Sequence, residues 1–231
     1  DIAPKLFIPS KEGTLQLEMV SATRQFGFLP YTERGTLTSI MSLVKDDIPV
    51  IVFQNLSIQL LPQWHYAVVI GFDSDKGTVT LHTGLTPNHE MSLELFERTW
   101  GRGNYWYLAP VPPNVTSPEM TPFTYVSAAY DMLKVGDKAR SLAFLKTASH
   151  TWPTYWLSYF LIANYYLEQN DNQAVAWFEK GYEVGQHQHV YVHNYVLALR
   201  ENNMPEKANT ILKQGLERFP NNEPLLTLAE K

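Results

Sequence analysis

His65 opens the run Trp64-His65-Tyr66-Ala67-Val68-Val69-Ile70-Gly71-Phe72. An imidazole at the entrance of an apolar, β-branched stretch is fixed at the edge of a core, where its ring can face a cleft. The chemistry open to it is that of a general base. It would take the proton of a serine or cysteine nucleophile while a third group holds the other ring nitrogen. The next apolar segment ends Leu81-His82-Thr83-Gly84, after the turn-like Asp73-Ser74-Asp75-Lys76-Gly77. A hairpin there brings a polar side chain, His82 or Thr83, beside His65. The plainer alternative is an edge histidine bonded to a carbonyl among aromatic neighbours. The chain has no cysteine, so it holds no thiol nucleophile, disulfide or thiolate metal site of its own.

Other polar candidates carry less chemistry. His187, His189 and His193 cluster in the helical half, and the i, i+4 pair His189 and His193 suits two metal ligands on one helix face. No carboxylate stands at a matching position, so turn-packing or solvated histidines are the competing reading, and no metal or cofactor is assigned. Gln54 and Asn55 follow an apolar run; they line a cleft or satisfy loop backbone. Asn114-Val115-Thr116 matches a glycosylation sequon and is given no weight, and no glycine-rich phosphate loop is present.

The elements that must position His65 follow from periodicity. Leu15, Met19, Ala22 and Phe26 recur at helical spacing, with Thr14 as N-cap and Gly27 as stop. A second helix fits Leu37, Ile40, Met41 and Val44. Pro49-Val50-Ile51-Val52-Phe53 reads as a central strand, and residues 65–72 and 78–82 as a hairpin. Ser92 caps a short helix carrying Leu93, Phe96 and Trp100, and Tyr105-Trp106-Tyr107-Leu108 reads as a last strand. This order predicts an antiparallel α+β domain over residues 1–112, after an extended lead-in through residue 12. Pro110, Pro112, Pro113, Pro118 and Pro122 then mark a linker at 113–122.

From residue 123 to 231 the pattern is helical and repeats. Ser141, Leu145, Ala148 and Pro153 are echoed by Ala174, Phe178 and Gly181, and again by Ala208, Leu212, Gly215 and Pro220, at offsets of 33 and 34 residues. A small residue lets antiparallel helices approach and a bulky one fills the space beside it. The pattern resembles the tetratricopeptide repeat, and about three helix pairs are expected. Upstream, Tyr125 and Ala129 pair with Leu161 and Tyr165, and Gly136 and Asn203 fall in turns. The middle copy is rich in aromatics, Trp156, Phe160, Trp177 and Phe178 among them, which are expected mainly in packing, with some lining a binding groove.

Composition narrows the partners. The 231 residues carry a net charge of −5 and scattered basic residues, which argues against nucleic acid. No apolar run approaches the about 20 residues of a membrane span. The chain begins with Asp1 and not Met, and a missing N-terminal piece is one expectation drawn from this.

Four segments taken in order carry a family resemblance: Pro49-Val50-Ile51-Val52-Phe53-Gln54-Asn55-Leu56, Trp64-His65-Tyr66-Ala67-Val68-Val69-Ile70-Gly71, Leu81-His82-Thr83-Gly84 and Phe96-Glu97-Arg98-Thr99-Trp100. With the repeats behind them, they resemble a bacterial cysteine-peptidase-like family of the papain-like superfamily, akin to the bacteriocin-processing double-glycine peptidases. The resemblance implies a papain-like α+β domain, lacking its nucleophile helix, followed by an all-α repeat domain. It implies peptide-bond hydrolysis by a Cys/His pair, with the Cys and an oxyanion Gln lying upstream of these residues and His65 as base. It also implies a periplasmic or cell-envelope setting. The family's orienting Asp falls here on Thr83, with His82 beside it. Neither is a carboxylate, and a hydroxyl stabilises imidazolium less than an anion does. The expected partners are a peptide or protein substrate, a protein on the repeat groove, and the chain's own N-terminal fragment. The alternative is an interaction module in which both domains only bind. A core lacking its nucleophile helix would expose a large apolar groove, which an N-terminal fragment, a neighbouring chain or the repeats are expected to fill.

Overall fold

The computed structural model describes residues 15–230, so the lead-in and Thr14 lie outside the described residues. The chain divides into two compact units, one ending at Gly136 and the other beginning at Asp137.

The first unit is built on a six-stranded antiparallel sheet. Its elements are α1 (Gln16–Gln25), β1 (Leu29–Arg34), α2 (Leu37–Lys45), β2 (Val50–Asn55), β3 (Trp64–Asp73), β4 (Thr78–Thr83), β5 (Thr86–Ser92), α3 (Leu93–Arg102), β6 (Trp106–Val111) and α4 (Pro122–Lys134). The strand order is β1-β6-β2-β3-β4-β5. Residue type explains the ends of these elements. Gly27 follows α1 at φ +85°, a left-handed stop that glycine adopts without strain. Thr36 caps α2 by accepting from Ser39 N, and Ser92 caps α3 by accepting from Leu95 N. In the β3–β4 turn, Asp73 Oδ1 accepts from the backbone of Asp75 and Lys76, and Gly77 supplies φ +64°.

Strand alternation sorts the sheet into two faces. Val50, Val52 and Gln54 stand opposite Val69, Ala67 and His65, and Leu81 and Thr83 continue the same face across β4. On this side Val50, Val52, Gln54, Ala67, Val69 and Leu81 are all buried. The other side carries Ile51, Phe53, Tyr66, Val68 and Ile70, all partly exposed. There Phe53 stacks on Trp64, with ring centroids 4.9 Å apart, and leans on Tyr66 at 4.8 Å.

Two strands, β1 and β5, have no counterpart in the sequence-based element order. They are the two edges of the sheet, and they contain Pro30 and Pro87, which an edge tolerates because one side of its backbone needs no ladder partner. The segment expected as a proline-rich linker is packed. Ser117 Oγ donates to Asp46 Oδ2 at 2.5 Å, Thr121 N donates to Tyr31 Oη at 3.0 Å, and Met120 is buried. Proline interrupts regular structure without preventing burial. The following helix, α4, packs on β1: Thr124 Oγ1 donates to Glu33 Oε1, and Arg24 of α1 pairs with Asp131 at 3.1 Å. The sequence pattern groups α4 with the repeats, whereas here it lies in the sheet unit.

The second unit is entirely helical: α5 (Lys138–Thr151), α6 (Trp156–Glu168), α7 (Gln173–Lys180), the one-turn α8 (Tyr182–Gly185), α9 (His189–Glu201), α10 (Pro205–Arg218) and α11 (Glu223–Ala229). Each long helix packs on the next, and α7 also packs on α9, which gives two helix pairs, α6–α7 and α9–α10. The small–bulky–small positions are interior: Ser141, Leu145, Ala148, Ala174, Phe178, Ala208 and Leu212 are buried. A Cβ on Gly181 would lie 2.5 Å from Tyr159 Cβ, and one on Gly215 2.6 Å from Val192 Cγ1. Glycine stands where neighbouring helices come closest. Upstream, the buried counterparts of Tyr125 and Ala129 are Tyr159 and Ala163, 34 residues on, and not the half-exposed Leu161 and Tyr165.

Candidate functional site

β3 begins at Trp64, so His65 sits one residue inside the sheet's end, half-buried, with Gln54 of β2 directly across the ladder. On its other side Ala67 faces Thr83, which places Thr83 two residues diagonally from His65 on the same face. The diagonal is short enough for contact: His65 Nε2 and Thr83 Oγ1 are 2.7 Å apart. In the tautomer that donates from Nε2, the lone pair is on Nδ1. Among the described residues Nδ1 has no protein hydrogen-bond partner. Burial lowers the His65 pKa from its ordinary value, because it disfavours the charged imidazolium. The ring is thus held by Thr83, burial favours its neutral form, and in that tautomer Nδ1 is the basic nitrogen left over. Those are properties a general base needs.

His82 is not part of this pair. Strand alternation turns it to the opposite face of β4, where it is exposed and its Nδ1 accepts from Asn88 N at 3.2 Å. Gln54 is buried and donates from Nε2 to Thr99 Oγ1 of α3 at 2.8 Å. Thr99 in turn donates to helix carbonyls, those of Leu95 and Phe96. Gln54 thus ties the end of β2 to α3 and lies beside the imidazole. Asn55 does satisfy loop backbone, as one of its two expected roles required: its Oδ1 accepts from Ser57 N and Gln63 N and closes the base of the β2–β3 loop. Thr99 lay in a segment that carried the family resemblance, but its bond to Gln54 was not legible there, since it depends on where α3 docks.

Large apolar side chains are exposed at this end of the sheet. Trp64, Leu56, Ile58, Leu60, Leu61 and Leu85 are all exposed, as are Leu17 and Phe26 around α1.

In the second unit, Asn194 Nδ2 donates to Asn164 Oδ1 at 2.8 Å, joining the first helices of the two pairs, and His193 Nδ1 meets Asn194 Oδ1 at 2.8 Å. His189 lies edge-on to Phe219. Among the described residues no group of three or more His, Cys, Asp or Glu is placed to hold a metal. Trp177 has Lys180 over its ring at 4.6 Å and Lys146 at 6.0 Å. A groove of about 870 Å³ runs between Arg200, Pro205, Leu212, Lys213, Leu216 and Ala229. Its Arg200 is already engaged, donating to Leu228 O at 2.7 Å.

No known protein family and no curated protein matches the chain. Solved structures resemble parts of it. MamA is 16% identical with a TM-score of 0.38, covering 42% of this chain and 54% of its own. YrrB, a TPR protein with an unusual peptide-binding site, is 21% identical with a TM-score of 0.40, covering 46% of this chain and 55% of its own. A putative C39-like peptidase from Bacillus anthracis is 16% identical with a TM-score of 0.37, covering 43% of this chain and 60% of its own. The chain thus spans little more than half the length of these proteins. At such scores none of the likenesses carries an argument about this chain. The helices, the antiparallel sheet and the paired-helix unit stand on the geometry above.

Proposed function

We propose that this chain is the base-bearing part of a thiol hydrolase of peptide bonds, joined to a helical-repeat module that recruits its peptide or protein partner. The observation that carries the proposal is the His65–Thr83 contact of 2.7 Å at the end of the sheet, with Nδ1 left without a protein partner among the described residues. In this reading a sulfur from outside these 231 residues approaches Nδ1 and gives up its proton there. The thiolate attacks the substrate carbonyl, and the imidazolium returns the proton to the leaving amine. Thr83 positions the ring; His82 takes no part. The hydroxyl in place of a carboxylate makes His65 a weak base and the hydrolysis slow. The setting suggested by the resemblance, periplasm or cell envelope, belongs to the same proposal.

The test is a thiol-reactive probe applied to the full-length gene product, followed by peptide mapping. The proposal expects one labelled cysteine whose labelling and hydrolytic activity fall when His65 is changed to Ala. A product without cysteine, or labelling indifferent to His65, would sink the enzyme.

A second reading rests on a different observation. The bonded pair Asn164–Asn194, with His193 beside it, spans the first helices of both repeats. Half-buried amides on adjacent helices suit a peptide main chain, and repeat arrays bind through such surfaces. In that reading the whole chain is a binding module. A peptide-library pull-down that is lost on changing Asn164 and Asn194 to Ala, in a product without a reactive thiol, would single it out.

A further inference from the structure

The sheet end that carries His65 is unusual in its charge and in its outline. From Ile48 to Phe72 and from Gly77 to His89 the sequence holds no Asp, Glu, Lys or Arg. By register, the β2–β3 loop and the β4–β5 turn leave the sheet at this same end: Asn55 pairs with Trp64, Ala67 with Thr83, and Thr83 with Thr86. Both connections are tipped with leucine. Leu85 is 102% exposed, Leu60 89% and Leu61 74%. They are flanked by exposed Ile58 and by Trp64, itself 51% exposed. Side chains in that state contribute nothing to the fold's interior, and they cost solubility.

The tips are braced in place. Asn55 Oδ1 and the bond from Leu56 N to Gln63 O, 2.9 Å, close the base of the longer loop. Arg102 Nη1 donates to Ser57 O at 2.7 Å. Gly84, at φ +54°, turns the shorter one.

We propose that these two leucine-tipped connections insert shallowly into the surface of a lipid bilayer and seat the sheet end on it. Three observations favour lipid over a protein partner. The leucines project as near-fully solvated tips, whereas a peptide is gripped by a concave surface. The two connections and the strand residues flanking them hold no Asp, Glu, Lys or Arg, so inserting the tips strips water from no carboxylate or ammonium of their own; Arg102 and Glu18, which acts on Tyr66, are charges that other elements bring near this end. The aromatic at the base of the loop is a tryptophan, a ring that favours the boundary between headgroups and acyl chains. Attachment of this kind is reversible and driven by apolar area, not by charge. It is independent of the thiol chemistry, and its failure would leave the His65 proposal standing.

The experiment is vesicle flotation with neutral phosphatidylcholine, at low and at high salt. The chain is expected to float with vesicles at both. The variant Leu60→Ser, Leu61→Ser, Leu85→Ser should keep its melting temperature, because the tips are solvated in the folded state, and should lose partitioning by about 100-fold or more. Four outcomes would overturn the proposal. They are no flotation with neutral vesicles, equal flotation of the variant, binding confined to anionic vesicles and removed by salt, and tip-dependent self-association without lipid binding.

Discussion

Thr83 gives His65 an orientation but no countercharge, and this has a measurable signature. Burial lowers the folded pKa of His65 below its unfolded value. As pH falls through the ordinary histidine range near about 6.5, the unfolded chain takes up a proton first. The folded state therefore loses stability on acidification, until the pH passes the lowered value. An NMR titration of the His65 ring is expected to show its midpoint below that of a free imidazole. Thr83→Asp should reverse the sign. A carboxylate within bonding distance raises the ring's pKa, and the added stability would be full below the unfolded value and lost as pH rises through the raised one. The same change should speed hydrolysis in the full-length product if His65 is its base. Thr83→Val removes the contact and should cost about 1 kcal/mol, read by denaturant melting. The choice between His82 and Thr83 was not decided in the sequence, because residues one apart face opposite ways and the β3–β4 register depends on an irregularity between Val69 and Gly71. The Gln54–Thr99 bond, 45 residues apart, was invisible for the same kind of reason: it is made by packing, not by pattern.

Elements show where hydrophobic pattern is sufficient and where it fails. The inner strands β2, β3 and β4 declared themselves through β-branched runs, since both neighbours demand a full ladder. β1 and β5 did not, since Leu29-Pro30-Tyr31-Thr32-Glu33-Arg34 and Thr86-Pro87-Asn88-His89-Glu90-Met91-Ser92 need to satisfy only one neighbour and are polar or proline-bearing. The repeat positions were legible because a small residue at a helix crossing has no substitute. Gly181→Ala should accordingly destabilise the second unit by about 1–3 kcal/mol, seen as a lower melting midpoint by circular dichroism at 222 nm, a wavelength that reports helix. The junction of α3 and β6 is as tight. A Cβ on Gly103 would fall 2.0 Å from Phe53 O, and Asn104 and Tyr105 that follow it are both left-handed, at φ 59° and 55°. Gly103→Ala is expected to shift the end of β2, and the His65 ring resonances should move with it.

For the whole molecule, the compact boundary at Gly136/Asp137 makes residues 137–231 a candidate for independent folding. Expressed alone, that segment should give a cooperative helical melt. The proline-rich stretch read as a linker in sequence because composition reports backbone regularity; it does not report that Ser117 and Met120 are buried.

The order of the strands also bears on synthesis. β6 lies between β1 and β2, yet it is made last, so β2 waits with an unpaired edge until Trp106–Val111 emerge. The waiting stretch is apolar and uncharged, with Asp46, Asp47 and Asp73 as the acidic residues at its borders. A nascent chain halted near residue 103 should cling to itself or to a chaperone, and one extended to residue 136 should not. The last strand acts as a zip whose closure ends a period of danger for the growing polypeptide.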